Sequence, residues 1–263
     1  MLRQRVLSAV VFVPVVVLAF YLGGVAFQLF LGTLAFLGAV EYRRMLGKKD
    51  VDIHVLFPVL CAIVATSSAI RRPWAITVSL AGSAMTVLVL GLWHGGFASA
   101  VGGLGGLVYV GAFASLLGVL RNAPGGREWA FLVLAATWAT DVVAYFVGSF
   151  AGRRRMAPAI SPGKTWEGAV SGVLAAAGAA YGLSRLCGVH PVFSIAAGAL
   201  LGVAAELGDL VESSLKRFAG VKDSGKAIPG HGGVLDRFDS LLFSGATGLF
   251  LLLIYRLILR RVP

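Results

Sequence analysis

Long uncharged apolar stretches dominate the chain. From Val6 to Val40, and again from Pro73 to Leu120, no Asp, Glu, Lys or Arg occurs. A helix crossing a bilayer needs about 20 mostly apolar residues, so each stretch can hold two. The first breaks at Gly23-Gly24 and the second at Trp93-His94-Gly95-Gly96. Shorter apolar runs follow, and the pattern predicts spans at 6–22, 25–40, 54–70, 73–92, 97–120, 128–150, 167–187, 191–215 and 238–259. The runs are continuous rather than alternating, which argues against the strands of a lipid-facing barrel. The expected fold is all-α: a polytopic membrane helix bundle of about nine transmembrane helices.

Composition agrees with that pattern. The chain is 58% hydrophobic and only 13% charged, with a mean hydropathy of +0.87. Soluble domains are about a quarter charged, and disorder requires low hydrophobicity, so both classes are excluded. Cys61 and Cys187 lie in apolar stretches and form no disulfide framework. The first span lacks a small-residue cleavage site and reads as an anchor rather than a signal peptide.

A cytoplasmic amino terminus would place Arg3, Arg5, Arg43, Arg44, Lys48, Lys49, Arg153, Arg154, Arg155, Lys164, Lys216, Arg217, Lys222, Lys226 and Arg237 on the cytoplasmic side, most of the 23 basic residues. The positive-inside tendency favours that orientation. It also accounts for the net charge of +11 without nucleic acid, with anionic membrane lipid as the partner. The pairs Gly102/Gly106 and Gly198/Gly202 suit close helix packing.

Acidic residues locate the chemistry. Of 12, Asp141, Glu167, Glu206, Asp209, Glu212, Asp223, Asp236 and Asp239 fall in the carboxy-terminal half. Residues 1–127 thus read as membrane helices without a motif. Residues 128–263 read as the catalytic membrane half, with cytoplasmic loops 151–166 and 216–237. Asp141 shares a helical face with Tyr145 and Ser149, and either an interhelical hydrogen bond or a functional cavity explains a carboxylate at that depth. Glu206, Asp209, Ser213 and Lys216 share a face of the eighth span, as if lining a polar cavity. Glu212 and Lys216 read as an i,i+4 pair at a solvated helix end.

The segment from Phe218 to Asp239 packs Gly220, Gly225, Gly230, Gly232 and Gly233 among Lys222, Asp223, Lys226, His231, Asp236, Arg237 and Asp239. Glycine backbone approaches phosphate oxygens closely, the cations suit a polyphosphate, and carboxylates at Asp236 and Asp239 suit Mg2+ bound together with phosphates. Neither a Walker A sequence nor a Cys/His zinc pattern is present. Upstream, Ser161-Pro-Gly-Lys164-Thr165-Trp-Glu167-Gly168 enters the seventh span, where the local sequence suits helix capping as well as anion binding; its expected placement on the same side as loop 216–237 favours a shared site.

These residues resemble a known family. Ser213-x-Leu-Lys216-Arg217, Lys222-Asp223-x-Gly225, Ile228-Pro229-x-His231-Gly232-Gly233-Val and Asp236-Arg237-Phe-Asp239 follow, without departure, the signature of phosphatidate cytidylyltransferases, also called CDP-diglyceride synthetases. Asp141-x-x-Ala-Tyr145-x-x-Gly148 and Ser161-Pro-x-Lys164-Thr165-x-Glu167-Gly168 are similar to further family segments. The resemblance implies an integral membrane enzyme that converts CTP and phosphatidic acid to CDP-diacylglycerol and pyrophosphate. It implies a Mg2+ requirement, a potassium ion beside the magnesium in some members, a cytoplasm-facing site, and a homodimer in some members. By position it gives Asp209 and Asp236 as metal-holding carboxylates. Lys216, Lys222, Asp223, His231, Arg237 and Asp239 become candidate catalytic residues. Ser161, Lys164, Thr165, Ser213, Arg217, Gly232 and Gly233 become candidate substrate contacts, and Asp141, Tyr145, Glu167 and Glu206 candidate cavity residues. His231 reads as a phosphate or cytidine contact, because a phosphate already ionised near neutral pH needs no strong base.

A transporter is the main rival, yet its site should lie near the midplane with repeat symmetry between halves, whereas here the acids cluster towards one face. The Asp-Gly-x2-Ala-Arg arrangement of CDP-alcohol phosphatidyltransferases is absent. The expected location is a bacterial inner (plasma) membrane.

Overall fold

The computed structural model describes residues 2–228 and 232–259, with side chains from Val10 onward except those of Pro73 and Leu259. Helices α1 (Leu2–Leu22), α2 (Gly24–Gly47), α3 (Phe57–Thr66), α4 (Pro73–Gly106), α5 (Phe113–Asn122), α6 (Gly126–Ala151), α7 (Trp166–Leu183), α8 (Pro191–Phe218) and α9 (Leu235–Leu259) make up nearly all of it. Among the described residues, Gly24–Gly47, Trp74–Asn122, Gly126–Ala151, Pro191–Phe218 and Leu235–Ile258 are long and apolar enough to cross a membrane. Val10–Leu22 and Phe57–Ile70 are shorter apolar helices. The longer helices carry large exposed apolar side chains such as Val25, Leu29, Val78, Met85, Trp93 and Phe97, as lipid contact requires.

Both expected breaks occur at glycine. Gly23, at φ 64°, separates α1 from α2, and Gly96, at φ 74°, breaks the Trp74–Asn122 stretch. L side chains rarely adopt such values. A π-helical turn, Leu107–Ala112, joins α4 to α5. The expected span 54–70 is realised as α3 and one 3-10 turn, Ser67–Ile70. At 1.5 Å per residue α3 rises about 15 Å, half of the ~30 Å hydrocarbon thickness.

The all-α expectation needs one correction. Within loop 151–166, β1 (Arg155–Ala157) and β2 (Ser161–Thr165) pair antiparallel. Pro158 follows Ala157, and the Ile160 amide donates to the Ala157 carbonyl at 3.1 Å, a β-turn with proline at its favoured second position.

The chain forms two compact units. The first contains residues up to Asn122 together with Leu215–Phe238. Here α2 buries Phe27, Leu31, Leu34, Ala35 and Tyr42. Phe20 meets Phe27 at 5.0 Å, while Phe12 and Phe30 meet Phe238 at 5.3 and 5.6 Å; such aromatic pairs contribute about 0.5–1.5 kcal/mol each beyond burial. Arg121 donates to the Phe20 and Tyr21 carbonyls at 2.6 and 2.9 Å, placing positive charge where the α1 dipole is negative.

The second unit contains Ala123–Ser214 and the chain from Asp239 onward. A Cβ on Gly168 would sit 2.7 Å from the Ala144 carbonyl oxygen and 3.1 Å from the Gly148 Cα. The glycines of those two family-like segments therefore set the α6–α7 distance. Thr137 on α6 and Ser244 on α9 share a hydrogen bond of 2.6 Å. Residues 215–238 thus pack with the amino-terminal helices.

Candidate active site

In the second unit, α8 and α9 bring three carboxylates together. Oxygens of Asp209, Glu212 and Asp239 all lie within 4.8 Å of one another. Gly208 permits this approach, since a Cβ there would meet the Asp239 carbonyl oxygen at 2.5 Å. Glu212 is fully buried and Asp239 is 7% exposed. Glu212 therefore does not sit at a solvated helix end, as its spacing from Lys216 had suggested. Its i+3 relation to Asp209 was the signal that places both on one face.

Around the cluster, Ser213 Oγ donates to Asp209 Oδ1 at 3.1 Å, and the Ser240 amide donates to Asp239 Oδ1 at 2.7 Å. Lys164 Nζ, carried by β2, lies 2.6 Å from Glu206 Oε2 and 2.9 Å from Asp209 Oδ2. Burial disfavours the Lys164 charge, but the Asp209 and Glu206 carboxylates outweigh it and raise its pKa above the usual lysine value. Ser240 Oγ donates to Asp141 Oδ1 at 3.4 Å, so Asp141 makes the interhelical hydrogen bond that was one of its two readings. Asp141 and Tyr145 lie on the exposed face of α6, with Tyr145 70% exposed.

The entry to α7 resolves as a cap. Thr165 Oγ1 accepts from the Gly168 amide at 3.2 Å, and Glu167 accepts from the Arg153 and Arg154 amides at 3.1 and 3.2 Å, tying the hairpin to the helix. Ser161 is half-buried at the start of β2. Thr165→Ala should destabilise the protein by about 1 kcal/mol while Thr165→Ser keeps the cap. Thermal unfolding of the two detergent-solubilised variants measures the difference.

In the first unit, Asp236 organises the signature loop. Its Oδ1 accepts from Lys216 Nζ at 2.7 Å. Its Oδ2 accepts from the Ser224 amide at 2.9 Å, Ser224 Oγ at 2.9 Å and the Gly233 amide at 2.8 Å. Gly232 has φ 89° and accepts from the Ile228 amide at 2.9 Å, closing the loop in a conformation suited to glycine. Lys222, Asp223 and Arg237 are exposed, and Arg217 donates to the Val221 carbonyl at 3.4 Å. His231 lies outside the described residues. Glu41 on α2, which the sequence did not single out, accepts from the Val234 and Leu235 amides and shares the Ser224 hydroxyl proton with Asp236.

The donor set of Asp209, Glu212 and Asp239 is all carboxylate oxygen, which fits a hard divalent cation rather than a thiolate- or imidazole-preferring one. Crowded carboxylates also repel one another, and the Lys164 ammonium lies against the Asp209 member of the group.

Comparison with known proteins extends the signature to the whole chain. The cytidylyltransferase family model matches residues 3–255. The phosphatidate cytidylyltransferase of Pseudomonas aeruginosa is 35% identical over 92% of this chain and 93% of its own length. That of Synechocystis is 32% identical over 92% and 93%, and that of Brucella abortus 32% identical over 93% and 91%. A match that runs through the amino-terminal helices as well as the signature loop leaves one assignment: the chain belongs to the cytidylyltransferase family.

Proposed function

We propose that this protein is a phosphatidate cytidylyltransferase, transferring the cytidylyl group of CTP to phosphatidic acid to give CDP-diacylglycerol and pyrophosphate. The observation that carries this reading is the near-full-length similarity to enzymes of that name, with the signature from Ser213 to Asp239 intact. A phosphatidate oxygen forms the new bond to the α-phosphorus of CTP. The bond from that phosphorus to the bridging oxygen breaks, and pyrophosphate leaves with the electron pair. The attacking phosphate is already ionised, so the protein's work is positioning and charge neutralisation.

Lys222 and Arg237, exposed on the loop and at its end, neutralise phosphate oxygens, and Lys216 adds charge while oriented by Asp236. His231 contacts phosphate or cytidine by virtue of its signature position. Asp209, Glu212 and Asp239 would hold the metal, with Ser213 orienting the Asp209 carboxylate. Bound there, Mg2+ would supply positive charge for nucleotide phosphates and the departing pyrophosphate. The metal role that the resemblance gives Asp236 is tested by the Mg2+ requirement of Asp236→Asn. The amino terminus and the loops 151–166 and 216–237 face the cytoplasm of a bacterial inner membrane, with about nine spans, on the argument from basic residues.

Detergent-solubilised protein should release pyrophosphate only when CTP and phosphatidic acid are both present. Chelation of divalent cations should abolish release and added Mg2+ restore it. Folded protein that releases none across several lipid mixtures would overturn the reading.

A further inference from the structure

Glu41 is 3% exposed, in the part of the chain where no motif is visible. A carboxylate so placed is costly unless hydrogen-bonded, and among the described residues its hydrogen bonds go to the signature loop. Glu41 Oε1 accepts from the Val234 amide at 3.0 Å, and Oε2 accepts from the Leu235 amide at 2.9 Å. These are the amides that enter α9, where helix geometry leaves N–H groups without internal partners and favours negative charge. Ser224 Oγ, at the other end of the loop, lies 3.1 Å from Glu41 Oε2 and 2.9 Å from Asp236 Oδ2. One carboxylate therefore fastens both ends of the turn that displays Lys226.

Two signature glycines make room for it. A Cβ on Gly225 would fall 2.2 Å from Glu41 Oε1, and one on Gly233 would fall 2.5 Å from Oε2 and 2.1 Å from Ser224 Oγ. Neither glycine has positive φ, so space rather than backbone freedom is what these positions require.

We propose that Glu41 is a positioning residue that holds Ser224 and the 232–235 entry to α9 together and, through them, sets the affinity for CTP; this rests on the cytidylyltransferase reading. The test compares wild type, Glu41→Gln, Glu41→Ala, Gly225→Ala and the Glu41→Ala/Gly225→Ala double variant. It reads KM for each substrate, kcat, and the rate of tryptic cleavage after the exposed Lys222 and Lys226. Glu41→Ala should raise KM for CTP about tenfold or more and leave KM for phosphatidate within about twofold, with faster cleavage in the loop. Glu41→Gln, which keeps one acceptor but turns an NH2 towards a donor, should fall between. Gly225→Ala should impair the wild-type background and be nearly silent beside Glu41→Ala, because the clashing carboxylate is gone.

Folded Glu41→Ala with unchanged KM for CTP and an uncleaved loop overturns the proposal. So does a Gly225→Ala effect that is the same in both backgrounds. Inactive wild type overturns the cytidylyltransferase reading instead, and the cleavage rates alone then decide whether Glu41 holds the loop.

Discussion

Asp209→Asn should lower turnover on the order of 100-fold, the scale on which losing a preorganised charge registers, and should raise the Mg2+ concentration needed for half-maximal rate. The asparagine oxygen can still accept from Ser213 Oγ, now at 3.1 Å from Asp209, and Lys164 Nζ keeps Glu206 at 2.6 Å. Folding should therefore survive, and the loss should lie in the charge. Asp239→Asn should act in the same direction. Glu206→Gln serves as the contrast: it weakens the hold on Lys164 without removing a carboxylate from the group of Asp209, Glu212 and Asp239, so its Mg2+ requirement should stay near that of wild type. Steady-state pyrophosphate release against Mg2+ concentration decides the matter. Near-normal turnover of Asp209→Asn with an unaltered metal requirement would remove Asp209 from the proposed metal site.

Much of the helical plan was readable because lipid forces backbone groups to be satisfied within each helix, which leaves long uncharged runs and glycine breaks such as Gly23 and Gly96. The hairpin was not. Its strands, Arg155–Ala157 and Ser161–Thr165, are too short and too polar for a period of two to stand out. The cap at Thr165 was legible as one of two readings, and its bond to the Gly168 amide realises it; anion binding at the same helix start is a separate matter. Lys164 was legible as a cation near phosphate chemistry, but not as the partner of Glu206 and Asp209, because nothing local links positions 42 and more residues apart. Glu41 is the extreme case. Its bonds reach Ser224 and Leu235 across separations of 183 and 194 residues, and a lone acid at the end of an apolar helix looks like an ordinary membrane boundary. What could have hinted at it is the glycine at 225, whose small size the loop's backbone does not itself demand.

Asp236→Asn separates two jobs that the wild-type carboxylate performs at once. The asparagine oxygen can take the place of Oδ2, which receives the Ser224 amide, Ser224 Oγ and the Gly233 amide. Its NH2 then faces Lys216 Nζ, 2.7 Å from the present Oδ1. The loop should stay closed and resist trypsin, while an ammonium only 12% exposed is left facing a donor. Removing one member of a buried ion pair typically costs about 3–5 kcal/mol, so the unfolding midpoint should drop sharply and activity should fall on the order of 100-fold. Lys216→Met should destabilise similarly by taking the ammonium away from Asp236 Oδ1. The double variant Lys216→Met/Asp236→Asn should recover much of the stability, because neither buried charge remains, yet recover none of the activity, because the cation for the phosphates is gone. Strictly additive stability losses would show that the pair is not coupled. The same variants examine the metal assignment: a rise in Mg2+ requirement for Asp236→Asn beyond that of Lys216→Met is expected if Asp236 also ligates the ion. Equal requirements would confine Asp236 to orienting Lys216 and closing the loop.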